Sequence, residues 1–141
     1  MAFALHERLK ADTVTITELE HCRVLLMNDS QYPWLILVPR YNDLRDLHDL
    51  SEDLFAPVME EIRYVSEVLT KECDAFKINV AALGNMVPQL HIHIIARFED
   101  DAAWPGPVWG VKEPRPYAID DLKAIKSKLG TAIEGGCKSP E

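Results

Sequence analysis

The stretch Gln89-Leu90-His91-Ile92-His93-Ile94-Ile95 decides the fold. Apart from the glutamine and two histidines it is apolar and largely β-branched, a composition that suits a pleated strand. On a strand, residues two apart share a face and lie roughly 6.6 Å from one another. Gln89, His91 and His93 are therefore expected on one face, with Leu90, Ile92 and Ile94 on the other. Imidazoles are costly on a strand this apolar, so their presence points to chemistry or ligand binding.

Outward from that strand the chain alternates clear patterns. Thr13 to Thr17 alternates like a half-buried strand, and His21 to Asn28 reads as a second one. Trp34 to Val38, closed by Pro39, is a continuous apolar run and is expected to be a strand buried on both faces. Short turns join these segments, which favours antiparallel pairing over parallel crossovers. Leu44, Leu47, Leu54, Val58, Ile62, Val65 and Leu69 recur near helical spacing. Ser51 is a candidate N-cap there, while Pro57 is awkward inside a helix. The spacing predicts a short helix before residue 51 and a longer one after it. Ala75 to Ala82 reads as a strand, with Phe76, Ile78 and Val80 on one face. Leu83 to Met86 reads as a loop, and the histidine strand is expected to run to about Phe98. Other expected elements are a short helix near residues 3–10 and an amphipathic one over Ile119 to Leu129. The tail from Gly135 is expected to be loose. No repeat or linker splits residues 1–141, so one α+β domain is expected, an antiparallel sheet of five strands with helices packed on one side.

Composition narrows the function. With 48% hydrophobic and 27% charged residues the chain has the means to bury a core. A net charge of −8 without a Lys/Arg cluster argues against nucleic acid or an anionic membrane as partner, since both require a positive field. No apolar run reaches the ~20 residues of a membrane span, and the start of the chain lacks the pattern of a signal peptide. Cys22, Cys73 and Cys137 are odd in number and widely spaced, the pattern of reduced thiols in the cytoplasm rather than a disulfide framework.

The motif around His91, with its apolar alternation and preceding glycine loop, resembles the histidine triad (HIT) family. The resemblance runs from about Val24 to Phe98. It takes in Asn28-Asp29, Leu35 to Pro39, Asn79 and Gly84-Asn85; Trp104-Pro105-Gly106 is similar to the family's C-terminal region. It implies a homodimer that cleaves small nucleotide conjugates at the α-phosphate, as diadenosine polyphosphate hydrolases do. Nucleoside phosphoramidates are the other leading substrates. The middle histidine, here His91, would attack phosphorus and form a nucleotidyl-histidine that water hydrolyses. His93 would contact the leaving group or the phosphate oxygens. The loop amides of Asn85 and Met86 would cradle phosphate, Asn28-Asp29 would touch ribose or base, and Asn79 would make a polar contact near the site. The route requires no metal or cofactor, although a divalent cation can accompany a polyphosphate substrate. The physical logic stands apart from the family: a partly neutral imidazole is a nucleophile, provided its other nitrogen keeps a proton held by an acceptor such as a backbone carbonyl near residue 89.

Three positions depart from the family pattern. Gln89 stands for the first histidine and remains a donor able to bind phosphate. Trp34 stands where an auxiliary histidine is frequent, and Asn42 follows Pro39 where histidine is common. Other readings remain open: a zinc pair, for which His6, His21 and His48 offer no recognisable ligand spacing; two structural histidines; or a non-catalytic nucleotide sensor on the same fold.

Overall fold

A computed structural model describes residues 2–137. Five strands form one antiparallel sheet: β1 (Thr13–Glu18), β2 (Cys22–Met27), β3 (Trp34–Pro39), β4 (Lys77–Ala81) and β5 (Ile92–Arg97), in the order β1-β2-β3-β5-β4. The helices are α1 (Glu7–Asp12), α2 (Glu52–Cys73) and α3 (Ile119–Cys137), with a 3-10 turn over Leu47–Asp49. The sheet and its antiparallel pairing are those expected from the alternation and the short turns.

The two long helices cover one face. Val58, Ile62, Val65 and Leu69 form the buried stripe of α2, and Leu129 and Ile133 that of α3. They close on Val24, Leu26, Leu35, Leu37, Ile92 and Ile94 from the sheet and on Leu90 just before β5. The opposite face is buried by shorter pieces: Leu9 of α1, Tyr32 and Val108 meet Leu25, Trp34, Ile36, Val38 and Ile95. Every residue of β3 is buried, as a continuous apolar run requires. Cys22 and Cys73 are free thiols packed in or against the helix-side core.

Several boundaries differ from expectation. The histidine strand begins at Ile92 rather than at Gln89, because the backbone N–H of Leu90 donates to the carbonyl of Leu44, 2.9 Å away, and leaves the ladder. Helix α2 continues past Pro57, and Ser51 caps it with extended backbone geometry but no side-chain hydrogen bond. The fourth strand is shorter at both ends, and Phe76 lies outside it, 60% exposed, with its ring edge-on to Trp104. Helix α3 continues through Gly135 and Gly136, where a loose tail was expected; residues 138–141 lie outside the described residues. No helix among the described residues is long and apolar enough to cross a membrane.

Candidate active site

On the face away from α2 and α3, β5 carries His93, and His91 stands just before the strand. Alternation sends Leu90, Ile92 and Ile94 into the helix-side core and leaves both imidazoles on the other side. Their ring centroids are 5.0 Å apart. Both line an open cleft of about 310 Å³. Its remaining walls are Arg8, Leu9 and Asp12 of α1, Met27 and Ile36 of the sheet, the 83–87 loop, and Trp109.

His91 has one nitrogen committed and one free. Its Nδ1 lies 2.7 Å from the carbonyl oxygen of Gln89. A carbonyl only accepts, so Nδ1 carries the proton and Nε2 keeps its lone pair. Burial lowers the His91 pKa below the ordinary imidazole value; the Gln89 carbonyl pulls the other way, and His6 lowers it further. The ring is thus neutral and nucleophilic at neutral pH.

His93 is held by a different partner. The indole Nε1–H of Trp34 donates to its Nδ1 at 3.0 Å, both rings being buried. The register explains the meeting: Trp34 pairs with Ile95, so His93 is its diagonal cross-strand neighbour, within reach of an aromatic side chain. Burial and the nearby His91 push the His93 pKa down to about 4. Trp109 packs edge-on against both His93 and Trp34.

The loop before β5 is shaped by Gly84, whose φ of +60° favours glycine. A Cβ there would come within 3.3 Å of the Val87 carbonyl oxygen and 4.0 Å of His91 Cε1. Asn85 and Met86 follow at the cleft rim, and Met86 is 87% exposed.

The other residues singled out from sequence sit elsewhere. Gln89 does not share the cleft. Its Oε1 accepts from the His6 N–H at 2.8 Å, and its Nε2 donates to the Ala4 carbonyl at 2.9 Å. The amide therefore staples the N-terminal segment whose helix forms a cleft wall. Asn28 Oδ1 accepts from the Tyr117 N–H, and Asp29 Oδ1 accepts from the Gln31 and Arg115 amides. That pair thus ties β2 to the 113–117 segment. Asn79 Oδ1 accepts from Arg97, away from the cleft. Among the described residues no three His, Cys, Asp or Glu side chains come together as a metal site.

Two features of the cleft had no clear trace in the sequence. The wall built by α1 depends on contacts across more than eighty residues. The bond from Trp34 to His93 had a trace only as a departure from the family pattern, at a position two residues from register with the motif.

The Gln89 staple has a measurable consequence. Gln89→Ala removes two hydrogen bonds and is expected to cost about 1–2 kcal/mol. Amide exchange at His6 is expected to lose protection at the same time, while protection in β3 stays as it was. Unchanged exchange at His6 would mean that the apolar contacts of Phe3 and Leu5 alone hold the segment.

Residues 8–100 match the HIT domain model. A histidine triad protein from Bradyrhizobium japonicum is 47% identical, with 94% of this chain and 99% of that one covered and a TM-score of 0.92. One from Marinobacter aquaeolei VT8 is 46% identical over 96% and 98% of the two chains, also at 0.92. A third, from Sinorhizobium meliloti 1021, is 42% identical over 90% and 94%, at 0.88. No curated protein matches. With the domain model spanning most of the sheet and the histidine motif inside it, the chain belongs to the HIT family.

Proposed function

We propose that the chain is a nucleotidyl hydrolase or transferase that cleaves small nucleotide conjugates at the α-phosphate, with His91 as nucleophile. HIT-domain proteins are nucleotide-binding proteins, typically nucleotidyl hydrolases or transferases. The observation that carries the reading here is the 2.7 Å contact between His91 Nδ1 and the Gln89 carbonyl, which leaves Nε2 unprotonated in an open cleft. The Nε2 lone pair forms the bond to phosphorus as the bond to the leaving group breaks, and the leaving atom takes that electron pair. The ring becomes cationic, and its Nδ1–H strengthens its bond to the carbonyl as charge develops. Water then attacks phosphorus, the imidazole recovers its lone pair, and the nucleoside monophosphate departs with one proton released to solvent.

In this reading His93 donates to the phosphoryl oxygens, the Asn85 and Met86 amides face the phosphate, and the apolar side chains of Leu9, Met27 and Ile36 are the surface for the base. No metal is assigned a step; a divalent cation would enter only with a polyphosphate substrate. We place the protein in the cytoplasm, where its thiols remain reduced.

We also assign it a homodimer. Strand β4 is a sheet edge with β5 as its one partner among the described residues, and it carries Val80 51% exposed with Phe76 beside it. An apolar edge of this kind is ordinarily covered, and a second copy pairing along β4 covers it on both chains at once. Light scattering is expected to read twice the 16.0 kDa chain mass, and Val80→Lys is expected to return the mass of one chain. A monomer in the wild type would defeat this assignment.

The catalytic proposal is tested by incubating the protein with a nucleotide conjugate labelled at the α-phosphorus and quenching in base. Acid-labile label on the wild-type protein, absent from His91→Ala, is expected. Binding of AMP without labelling or turnover of any conjugate would make the protein a nucleotide sensor instead.

A further inference from the structure

We propose that Trp34 is the positioning residue that fixes His93 as its Nε2–H tautomer, and that the cleft is thereby built for nucleotide anhydrides rather than phosphoramidates. The second half rests on the nucleotidyl-transfer reading; the first does not.

The direction of one hydrogen bond fixes the His93 tautomer. An indole nitrogen donates and never accepts. At 3.0 Å from the Trp34 indole, His93 Nδ1 must supply the lone pair. The proton of the neutral ring is then on Nε2, for which the described residues provide no hydrogen-bond partner, in a side chain that lines the cleft beside His91. Protonating Nδ1 would set two N–H groups head to head in a buried place, with a lost bond and an unsolvated charge as the result. The depressed basicity of His93 follows from the same burial. The other charged or titratable groups around the cleft do not reverse this. His91 offers its one N–H to Gln89, His6 acts on His91 in the direction of lower basicity, and Arg8 is paired with Asp12 at 2.9 Å.

His93 therefore acts at neutral pH as a hydrogen-bond donor, not as a proton donor. It can steady the oxygens of a phosphoryl group, but giving its Nε2 proton to a departing atom would leave an imidazolate, and the imidazolium that could serve as an acid needs a proton on the nitrogen that accepts from Trp34. The two candidate substrates differ on this point. In an anhydride, the lone pair of His91 Nε2 forms the N–P bond while the bridging P–O bond breaks. The electron pair stays on the leaving phosphate oxygen, which is stable as an anion. In a phosphoramidate the pair would be left on nitrogen, and the amine departs only if it gains a proton. No group held as His93 is held provides one.

The test reads the tautomer and the substrate preference separately. Nitrogen-15 NMR of the intact wild-type protein at pH 7 is expected to show His93 Nδ1 as a lone-pair nitrogen and Nε2 as a protonated one. In Trp34→Phe, which keeps an aromatic ring and loses the N–H, His93 is expected to sample both tautomers. For the wild type, kcat/KM for diadenosine tetraphosphate is expected to exceed that for adenosine 5′-phosphoramidate by about 100-fold or more, the scale of a missing general acid. Trp34→Phe is expected to narrow that ratio by about tenfold. A protonated Nδ1 in the wild type overturns the assignment to Trp34 without need of any variant. Equal turnover of the two conjugates overturns the substrate preference. Inertness toward both defeats the nucleotidyl-transfer reading and the preference with it, while the tautomer measurement still judges Trp34.

Discussion

His91→Ala is expected to lower kcat/KM for a dinucleoside polyphosphate by about 10⁴-fold or more, the scale on which loss of a covalent nucleophile acts. The reason is geometric. The ring is aimed by a bond to a main-chain carbonyl rather than by a mobile side chain, so its free nitrogen is oriented before substrate arrives. Because the carbonyl belongs to the backbone, substituting the side chain at position 89 leaves that bond in place. Gln89→Ala is accordingly expected to retain most of the activity per folded molecule that His91→Ala loses. The pH profile carries a second signature. Burial holds the His91 pKa below the ordinary imidazole value, and the neutral form is the reactive one. The acid limb of kcat/KM is therefore expected to lie below pH 6.5. Turnover by His91→Ala within tenfold of wild type would remove His91 from the mechanism.

The largest expected loss of stability lies away from the chemistry, at Arg97. Its side chain is 1% exposed and every arm is engaged. Nε and one terminal nitrogen grip the Asp101 carboxylate at 2.8 and 3.0 Å; that same terminal nitrogen reaches the Gly106 carbonyl, and the other reaches Asn79 Oδ1, each at 2.8 Å. The guanidinium also lies over the rings of Tyr32 and Trp104. Asp101 in turn accepts from the amides of Phe98, Ala103 and Trp104, so one ion pair organises the whole turn after β5. Arg97→Met fills a similar volume but leaves a buried carboxylate without its cation. Removing one member of a buried pair costs about 3–5 kcal/mol, which for a domain of this size lowers the melting temperature by about 10 °C or more.

The acid side of the stability curve should report the same pair. Burial alone would raise the Asp101 pKa. The Arg97 guanidinium and the turn amides outweigh it and hold the carboxyl at about 2. A folded-state pKa below the unfolded one contributes stability at neutral pH that is lost as pH falls from about 4 to about 2. A melting shift of less than about 3 °C in Arg97→Met would show that the turn is held by its other contacts.

What was legible in the sequence was whatever repeats at short range. Alternation placed β1 and β5, a continuous apolar run placed β3, and alternation put Leu90, Ile92 and Ile94 on the core side with His91 and His93 opposite. Helical spacing picked out the four residues that α2 buries. Even the acceptor behind His91 was within reach, because it belongs to the backbone two residues earlier. These features depend on local periodicity, which a single chain carries in its order of residues.

Other properties depended on which distant segments meet, and no local pattern encodes that. Gln89 could be read as a phosphate donor until the fold brought Ala4 and His6 to its amide. Asn28, Asp29 and Asn79 are polar residues that the family resemblance assigned to the site, yet their partners are Tyr117, Arg115 and Arg97. The state of His93 is set by Trp34, fifty-nine residues away, through a bond whose direction only a donor-only partner can impose. Chain order thus determined where the imidazoles stand. The tertiary structure decided which nitrogen of His93 is protonated, because that tautomer follows from a distant group that packs against the ring.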